Sequence, residues 1–103
     1  AIRELLNDAP FAYLGDSILG SEVNLGAGTK FANLRFLPGN ITIFHQGQRL
    51  DTGRRKLGAI LGDTSQTGCN SVTNPGTLMA KGAILMPNCT AKSGYHVEKA
   101  LLR

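Results

Sequence analysis

The sequence predicts an all-β fold, a left-handed parallel β-helix of hexapeptide repeats, with an inserted β-hairpin arm and a short C-terminal helix. Three observations carry this. Leu61, Thr67, Thr73, Met79, Leu85 and Ala91 recur every six residues. Ser65, Ser71, Thr77, Ala83 and Cys89 form a second series, each four residues after a member of the first, and all are small. The same beat occurs earlier, as Leu-Gly-Ser-Glu-Val-Asn over 19–24 and Leu-Gly-Ala-Gly-Thr-Lys over 25–30. A period of six is neither the 3.6 of a helix nor the alternation of a simple strand. It marks a solenoid, in which each repeat buries its apolar face only by stacking on its neighbours.

Each hexad supplies a short strand and a corner. The first-phase residue and the small residue four later point inward, and glycine or asparagine at the corner accommodates positive φ. Three hexads make one triangular coil. Left-handed crossovers of this kind depart from the usual rule for parallel strands. Residues 1–18 read as an opening coil, with Ile2, Leu5 and Leu6 covering its free end. Leu14 to Leu19 is one residue short of a hexad, which predicts a tighter corner. Residues 19–36 form a coil, although Phe31-Ala32-Asn33-Leu34-Arg35-Phe36 already departs from the small-residue rule. Residues 37–56 break the period. The turn residues Pro38-Gly39-Asn40 and Gln46-Gly47-Gln48 flank strand-like Ile41-Thr42-Ile43-Phe44, predicting a protruding hairpin at a coil corner. The solenoid resumes over 57–92. Val97-Glu98-Lys99-Ala100-Leu101-Leu102, within a cap of about 95–103, predicts a short helix over the last coil.

A length of 103 residues bounds the chain to one domain, and its start at Ala1 in mid-pattern predicts a piece of a longer protein. Hydrophobic residues make up 42% and aromatics only 6%, so the core is thin and aliphatic. The net charge of +4 owes much to Arg54-Arg55-Lys56, a short cluster suited to a small anion and too short for a nucleic-acid track. No apolar run approaches a membrane span and no secretory signal is visible, so a cytoplasmic protein without membrane or nucleic-acid partners is expected. Two cysteines give no disulfide framework: Cys89 lies on the inward phase and Cys69 faces out, both as inert fillers. Gly26-Ala27-Gly28-Thr29-Lys30 lacks Walker spacing and is not read as a phosphate loop.

Tyr13-Leu14-Gly15-Asp16, Val23-Asn24-Leu25-Gly26-Ala27-Gly28-Thr29 and Lys56-Leu57-Gly58-Ala59-Ile60-Leu61-Gly62-Asp63 resemble the β-helix domain of sugar-1-phosphate nucleotidylyltransferases. That family includes the bifunctional enzyme making UDP-N-acetylglucosamine. Asn33-Leu34-Arg35-Phe36, followed by an arm and Gly53-Arg54-Arg55-Lys56, is similar to its archaeal and bacterial relatives. The resemblance covers roughly residues 9–92. It implies a homotrimer that meets a sugar phosphate or nucleotide sugar, with acetyl-CoA as acyl donor in the acetylating members. It also implies site residues: Tyr13 beside the sugar phosphate, Asn24 and Asn33 on the sugar, Lys56 at the phosphate or the cofactor, and Ala27 against the pantetheine arm. Arg54 and Arg55 are added from charge alone, because guanidinium forks suit bidentate phosphate contacts.

One position departs from the pattern. Acetylating members carry a histidine, as general base for the attacking amine, where this chain has Pro10. The resemblance therefore leans toward a transferase-like domain without assigning a catalytic residue. His45, on the predicted arm, reads as an ordinary loop residue. Two histidines are also too few for the three-histidine zinc site of carbonic anhydrases on this fold, so no metal is predicted. Bland readings stand beside the sharp ones. Tyr13 suits packing over the opening coil, Asn24 and Asn33 suit left-handed corners, and the basic cluster suits a solvated arm base. Three functions remain open from the sequence: a domain keeping a sugar-phosphate or acyl-carrier site, a non-catalytic trimerisation scaffold, and an acetyltransferase with a displaced base.

Overall fold

The computed structural model of the chain describes residues 13–103, and every regular element within them is a strand. The first coil comprises β1 (Tyr13–Leu14), β2 (Ile18–Leu19) and β3 (Asn24–Leu25). The second begins with β4 (Lys30–Phe31), passes through the arm strands β5 (Thr42–His45) and β6 (Gln48–Asp51), and closes with β7 (Ala59–Leu61) and β8 (Gln66–Thr67). The third holds β9 (Val72–Thr73), β10 (Thr77–Met79) and β11 (Ile84–Leu85), and the fourth β12 (Thr90–Ala91), β13 (Gly94–His96) and β14 (Leu101–Leu102). Equivalent strands pair in parallel into three four-stranded sheets, β1-β4-β9-β12, β2-β7-β10-β13 and β3-β8-β11-β14. They form the faces of a β-solenoid consistent with the left-handed β-helix. The expected cover of Ile2, Leu5 and Leu6, and the Pro10 position, lie outside the described residues.

The two inward series build the core. Leu19, Leu25, Phe31, Leu61, Met79, Leu85 and Ala91 are buried, and so are Thr67 and Thr73 on the same phase. The small series packs beside them: Val23, Thr29, Ser65, Ser71, Thr77 and Ala83 are buried, and Cys89 is half-buried. Hydroxyls enter this core because they can bond backward to the corner. Thr29 Oγ1 donates to the Gly26 carbonyl at 2.7 Å, and Thr77 Oγ1 to the Asn74 carbonyl at 2.6 Å. Both cysteines are free, with Cys69 exposed as expected.

The corners separate two demands that the sequence reading merged. Left-handed φ occurs at Asp16, Glu22 and Gly28, and again at Thr64, Asn70, Gly76, Gly82, Asn88 and Gly94, one residue in each hexad. Neither Asn24 nor Asn33 is among them, which corrects the corner reading of those two residues. The compact residue directly after the first phase serves coil stacking instead. A Cβ on Gly62 would lie 2.7 Å from the Lys81 backbone nitrogen, and one on Gly26 would lie 2.5 Å from that of Cys69. Thus at Gly26 and Gly62 a Cβ is excluded by proximity to the next coil, whereas two residues later it is penalised by backbone conformation.

The arm is an antiparallel hairpin, β5 on β6, closed by Gln46 and Gly47 with both φ positive. That is the two-residue primed turn whose twist matches the strands. It does not protrude freely. Ile41 and Ile43 are buried, and a Cβ on Gly76 would meet the Ile41 and Ile43 side chains at 2.9 and 3.3 Å. Two apolar side chains facing one way fasten the hairpin to the solenoid corner. At its base, Ile41 N–H donates to the Arg54 carbonyl, Leu57 N–H donates to the Asn33 carbonyl, and Leu34 bridges Lys56.

The C-terminal segment is not the expected helix. Thr77, Leu78 and Met79 pair with Gly94, Tyr95 and His96, while Ile84 and Leu85 pair with Leu101 and Leu102. β10 and β11 offer open edges whose backbone groups need partners. A helix of this length is marginal without such support. The strands were hidden because Ala91 to His96 spans five residues, the same shortening that occurs from Leu14 to Leu19. His96 therefore takes the inward register opposite Met79 and donates from Nε2 to the Lys92 carbonyl at 2.8 Å.

These corner rules predict opposite effects two residues apart. Gly62→Ala should lower unfolding free energy by about 1–3 kcal/mol through overpacking against the next coil. Thr64→Asn should raise it by about 1 kcal/mol, because asparagine tolerates the left-handed backbone that a β-branched residue resists. Urea unfolding midpoints check both; a neutral Gly62→Ala would contradict the coil spacing.

Candidate site at the first corner

The turn from β1 to β2 is short, and its tightness brings three side chains together. Tyr13 stands exposed on β1, and Asn33 follows β4 one coil later. Asn33 Nδ2 donates to Asp16 Oδ2 at 2.7 Å, and the Tyr13 hydroxyl donates to Asn33 Oδ1 at 3.4 Å. The carboxylate bond is short and charge-assisted, whereas the tyrosine contact is long and weak. Asp16 therefore orients the amide, leaving the tyrosine hydroxyl loosely held and able to exchange partners. Below them, Ser17 Oγ donates to the Gly15 carbonyl at 2.8 Å and accepts from Ala59 N–H at 3.0 Å. Gly58 N–H donates to the Asp16 carbonyl at 3.0 Å, which ties the turn to the second coil.

This cluster offers an aromatic ring, a hydroxyl, an amide and a carboxylate on one open corner. Such a mixed set of donors and acceptors matches the hydroxyls of a carbohydrate, and the ring offers an apolar face. Sequence reasoning named Tyr13 and Asn33 but gave Asp16 no role. The signal was present in Tyr13-Leu14-Gly15-Asp16, where the shortened hexad turns the carboxylate back over the next coil.

The other sequence-derived residues fall at varied distances from this corner. Lys56 bridges Leu34, directly after Asn33, so it belongs to the same turn region. Arg54 and Arg55 are exposed, and Arg54 Nε donates to the Lys56 carbonyl at 3.1 Å, which gives it a part in shaping the arm base. Asn24 is exposed on β3, in a different sheet from Tyr13. Ala27 is exposed at the corner leading into β4, where its carbonyl accepts from Asn70 N–H at 2.9 Å. Within one chain the fold gathers Tyr13, Asp16 and Asn33 near the Lys56 backbone, places Asn24 on another sheet, and sets Ala27 two residues before Thr29, whose carbonyl accepts from Tyr13 N–H at 2.9 Å. His45 packs edge-on against Tyr95, with ring centroids 5.3 Å apart. Among the described residues, no three histidine, cysteine, aspartate or glutamate side chains gather as a metal site, and no helix is long and apolar enough to cross a membrane.

The cluster depends on the absent side chain of Gly15. A Cβ there would lie 2.6 Å from Asn33 Cγ and Nδ2 and 2.9 Å from Tyr13 Cε1. Gly15→Ala should push Asn33 aside and break its contact with Tyr13 while the solenoid persists. Side-chain NMR signals of Tyr13 and Asn33 should shift and lose their mutual Overhauser contact; unchanged signals would contradict the arrangement.

No protein-family model matches the chain. Individual relatives do. A bifunctional sugar-1-phosphate nucleotidylyltransferase/acetyltransferase of Sulfurisphaera tokodaii is 42% identical over 76 residues, 74% of this chain and 19% of the relative. The bifunctional protein GlmU of Methanococcus vannielii is 38% identical over 87 residues, 84% of this chain and 21% of the relative. That of Methanocaldococcus jannaschii is 35% identical over 78 residues, 76% of this chain and 19% of the relative. The chain spans about a fifth of the length of the curated relatives it matches. With its hexad core and parallel solenoid, the chain belongs to the family of bifunctional sugar-1-phosphate nucleotidylyltransferase/acetyltransferases, as a counterpart of their C-terminal β-solenoid part.

Proposed function

We propose that this β-solenoid serves nucleotide-sugar biosynthesis by binding a sugar phosphate at the Tyr13–Asp16–Asn33 corner, as a homotrimer and in the cytoplasm. The observation that carries the reading is the hydrogen-bonded corner cluster itself, in a chain whose relatives are named for sugar-1-phosphate and acetyl chemistry. Tyr13 and Asn33 contact the sugar, and Asp16 holds the Asn33 amide in its working orientation. Lys56, with Arg54 and Arg55 near the arm base, supplies positive charge for the phosphate. Asn24 lies on a different sheet from this corner within one chain. Its role on the sugar, and that of Ala27 along the pantetheine of acetyl-CoA, belongs in this reading to a groove shared with a neighbouring copy.

Trimer formation has a physical support of its own. The outward face of the β2-β7-β10-β13 sheet stacks Ile18, Ile60, Leu78 and Tyr95 in register, a ladder of apolar side chains. Ile18 is 61% and Tyr95 45% exposed in the single chain. Burial of such a ladder against copies of itself removes apolar surface from water. The same ladder favours the second reading, a trimerisation scaffold without catalysis.

Acetyl transfer joins the amino-sugar nitrogen to the acetyl carbon, breaks the thioester carbon–sulfur bond and releases the CoA thiol as the amine loses a proton. By the resemblance, Pro10 stands where acetylating members carry the histidine that serves as general base. A positioned base is worth roughly 10²–10⁴ in rate, so transfer by this chain should be slow by that factor. Incubation with acetyl-CoA and glucosamine-1-phosphate should release thiol barely above the buffer rate, and Pro10→His should raise release by roughly a hundredfold. Brisk release by the unaltered chain would instead point to a displaced base.

Binding is tested separately. At a hundredfold excess over its Kd, glucosamine-1-phosphate should add about 2.7 kcal/mol to stability. The melting temperature should then rise by roughly 10–20 °C for a chain of this size. Asn33→Ala should abolish the rise. No rise with either the sugar phosphate or CoA would leave the scaffold reading. Sedimentation at micromolar concentration should give three times the 10.9 kDa chain mass; a monomer would remove the trimer.

A further inference from the structure

Beside the corner cluster, between the arm base and the next two coils, lies an open groove of about 610 Å³. Leu34, Phe36, Leu37 and Pro75 give it an apolar lining, and Arg35 and Arg49 line it as well. None of its lining residues is acidic. Phe36 is fully exposed, and Leu37 is 68% exposed. A bare aromatic ring flanked by leucines is an unusual surface for a soluble chain and is suited to receive a flat partner. The guanidinium of Arg35 is ordered, because Nη1 donates to the Asn40 carbonyl at 3.0 Å. That bond commits one of its five N–H donors. Arg49 rises from β6, opposite Phe44 in the hairpin register.

We infer that this groove binds a nucleoside diphosphate group, with the base stacked on Phe36 and the phosphates held by Arg35 and Arg49. The charges select the occupant. Two guanidiniums without a lining carboxylate call for an anion, and bidentate forks suit phosphate. The apolar lining would be wasted on free phosphate, whereas a base has a π-face to place there. The groove volume lies within the range of small-molecule sites. Asn33 of the corner cluster directly precedes Leu34, so adjacent residues address the two ends of a nucleotide sugar. The inference stands on the groove alone and holds whether or not the corner cluster binds a sugar phosphate.

Isothermal titration of the chain with UDP, UDP-N-acetylglucosamine, CoA and inorganic pyrophosphate tests it. Saturable binding of UDP is expected, with pyrophosphate at least tenfold weaker. Phe36→Ala and Arg49→Ala should each weaken UDP about tenfold or more, the usual worth of a stacked base or a charged phosphate contact. Both residues are exposed, and unchanged melting temperatures will show that the variants fold. CoA competing with UDP would identify the carrier's own nucleotide as the source of the group. A CoA that fails to compete would identify a nucleotide sugar; both outcomes uphold the site. No saturable binding at millimolar concentration, or equal binding by the variants, would overturn the inference. So would a Phe36→Ala variant that only dissociates the assembly, since the ring would then be covered by a second copy.

Discussion

Every coil of this chain rests on the one beneath it at the spacing of a parallel β-ladder, about 4.8 Å, and that stacking constrains nearly every residue. It fixes which two positions of each hexad point inward and how large they can be. It forces one corner residue per hexad into left-handed φ, from Asp16 through Gly94. It also strips the side chain from Gly26 and Gly62, where the next backbone passes too close for a Cβ. The thin core follows. With Phe31 as the one large ring among the described core residues and threonine or serine at many inward places, cohesion comes from the ladders and their regular register as much as from apolar bulk. Two buried hydroxyls, Ser71 Oγ and Thr73 Oγ1, have no hydrogen-bond partner among the described residues, a local cost that the ladders carry.

The corner cluster exploits the same constraint. Because Leu14 to Leu19 is one residue short, the first turn doubles back tightly and aims Asp16 at the following coil. The second coil answers with Asn33, held in place where the arm departs and returns through the Asn33–Leu57 and Leu34–Lys56 backbone contacts. The arm thus interrupts the solenoid at a point already braced by two coils. Its buried Ile41 and Ile43 lay it down beside that corner, so the Tyr13–Asp16–Asn33 cluster and the groove next to it sit on backbone that cannot drift independently. A site on rigid stacked strands keeps its geometry better than one on free loops.

Much of this was legible in the sequence because a solenoid repeats its physics. One hexad reveals the inward positions of all of them, and Leu61 through Ala91 needed no further information. What escaped was whatever altered the period. The five-residue step from Ala91 to His96 disguised two strands as a helix. The hairpin was visible from its turn residues, yet its docking on Gly76 depends on contacts far apart in sequence. Asp16 was legible as a family residue and not as the partner of Asn33, because a side-chain bond across a coil boundary leaves no periodic trace. Asparagine suits a left-handed corner, the alternative to a sugar contact at Asn24 and Asn33, but left-handed φ falls three residues past the inward position, which Glu22, Thr64 and Asn70 occupy.

Recognition of a sugar phosphate by the first corner of the solenoid, as proposed, is tested most directly by a crystal structure of the chain with glucosamine-1-phosphate at saturation. An ordered sugar is expected within hydrogen-bond reach of the Tyr13 hydroxyl and the Asn33 amide, with Asp16 still holding Asn33. A sugar ordered elsewhere on the prism, with the corner empty, would contradict it.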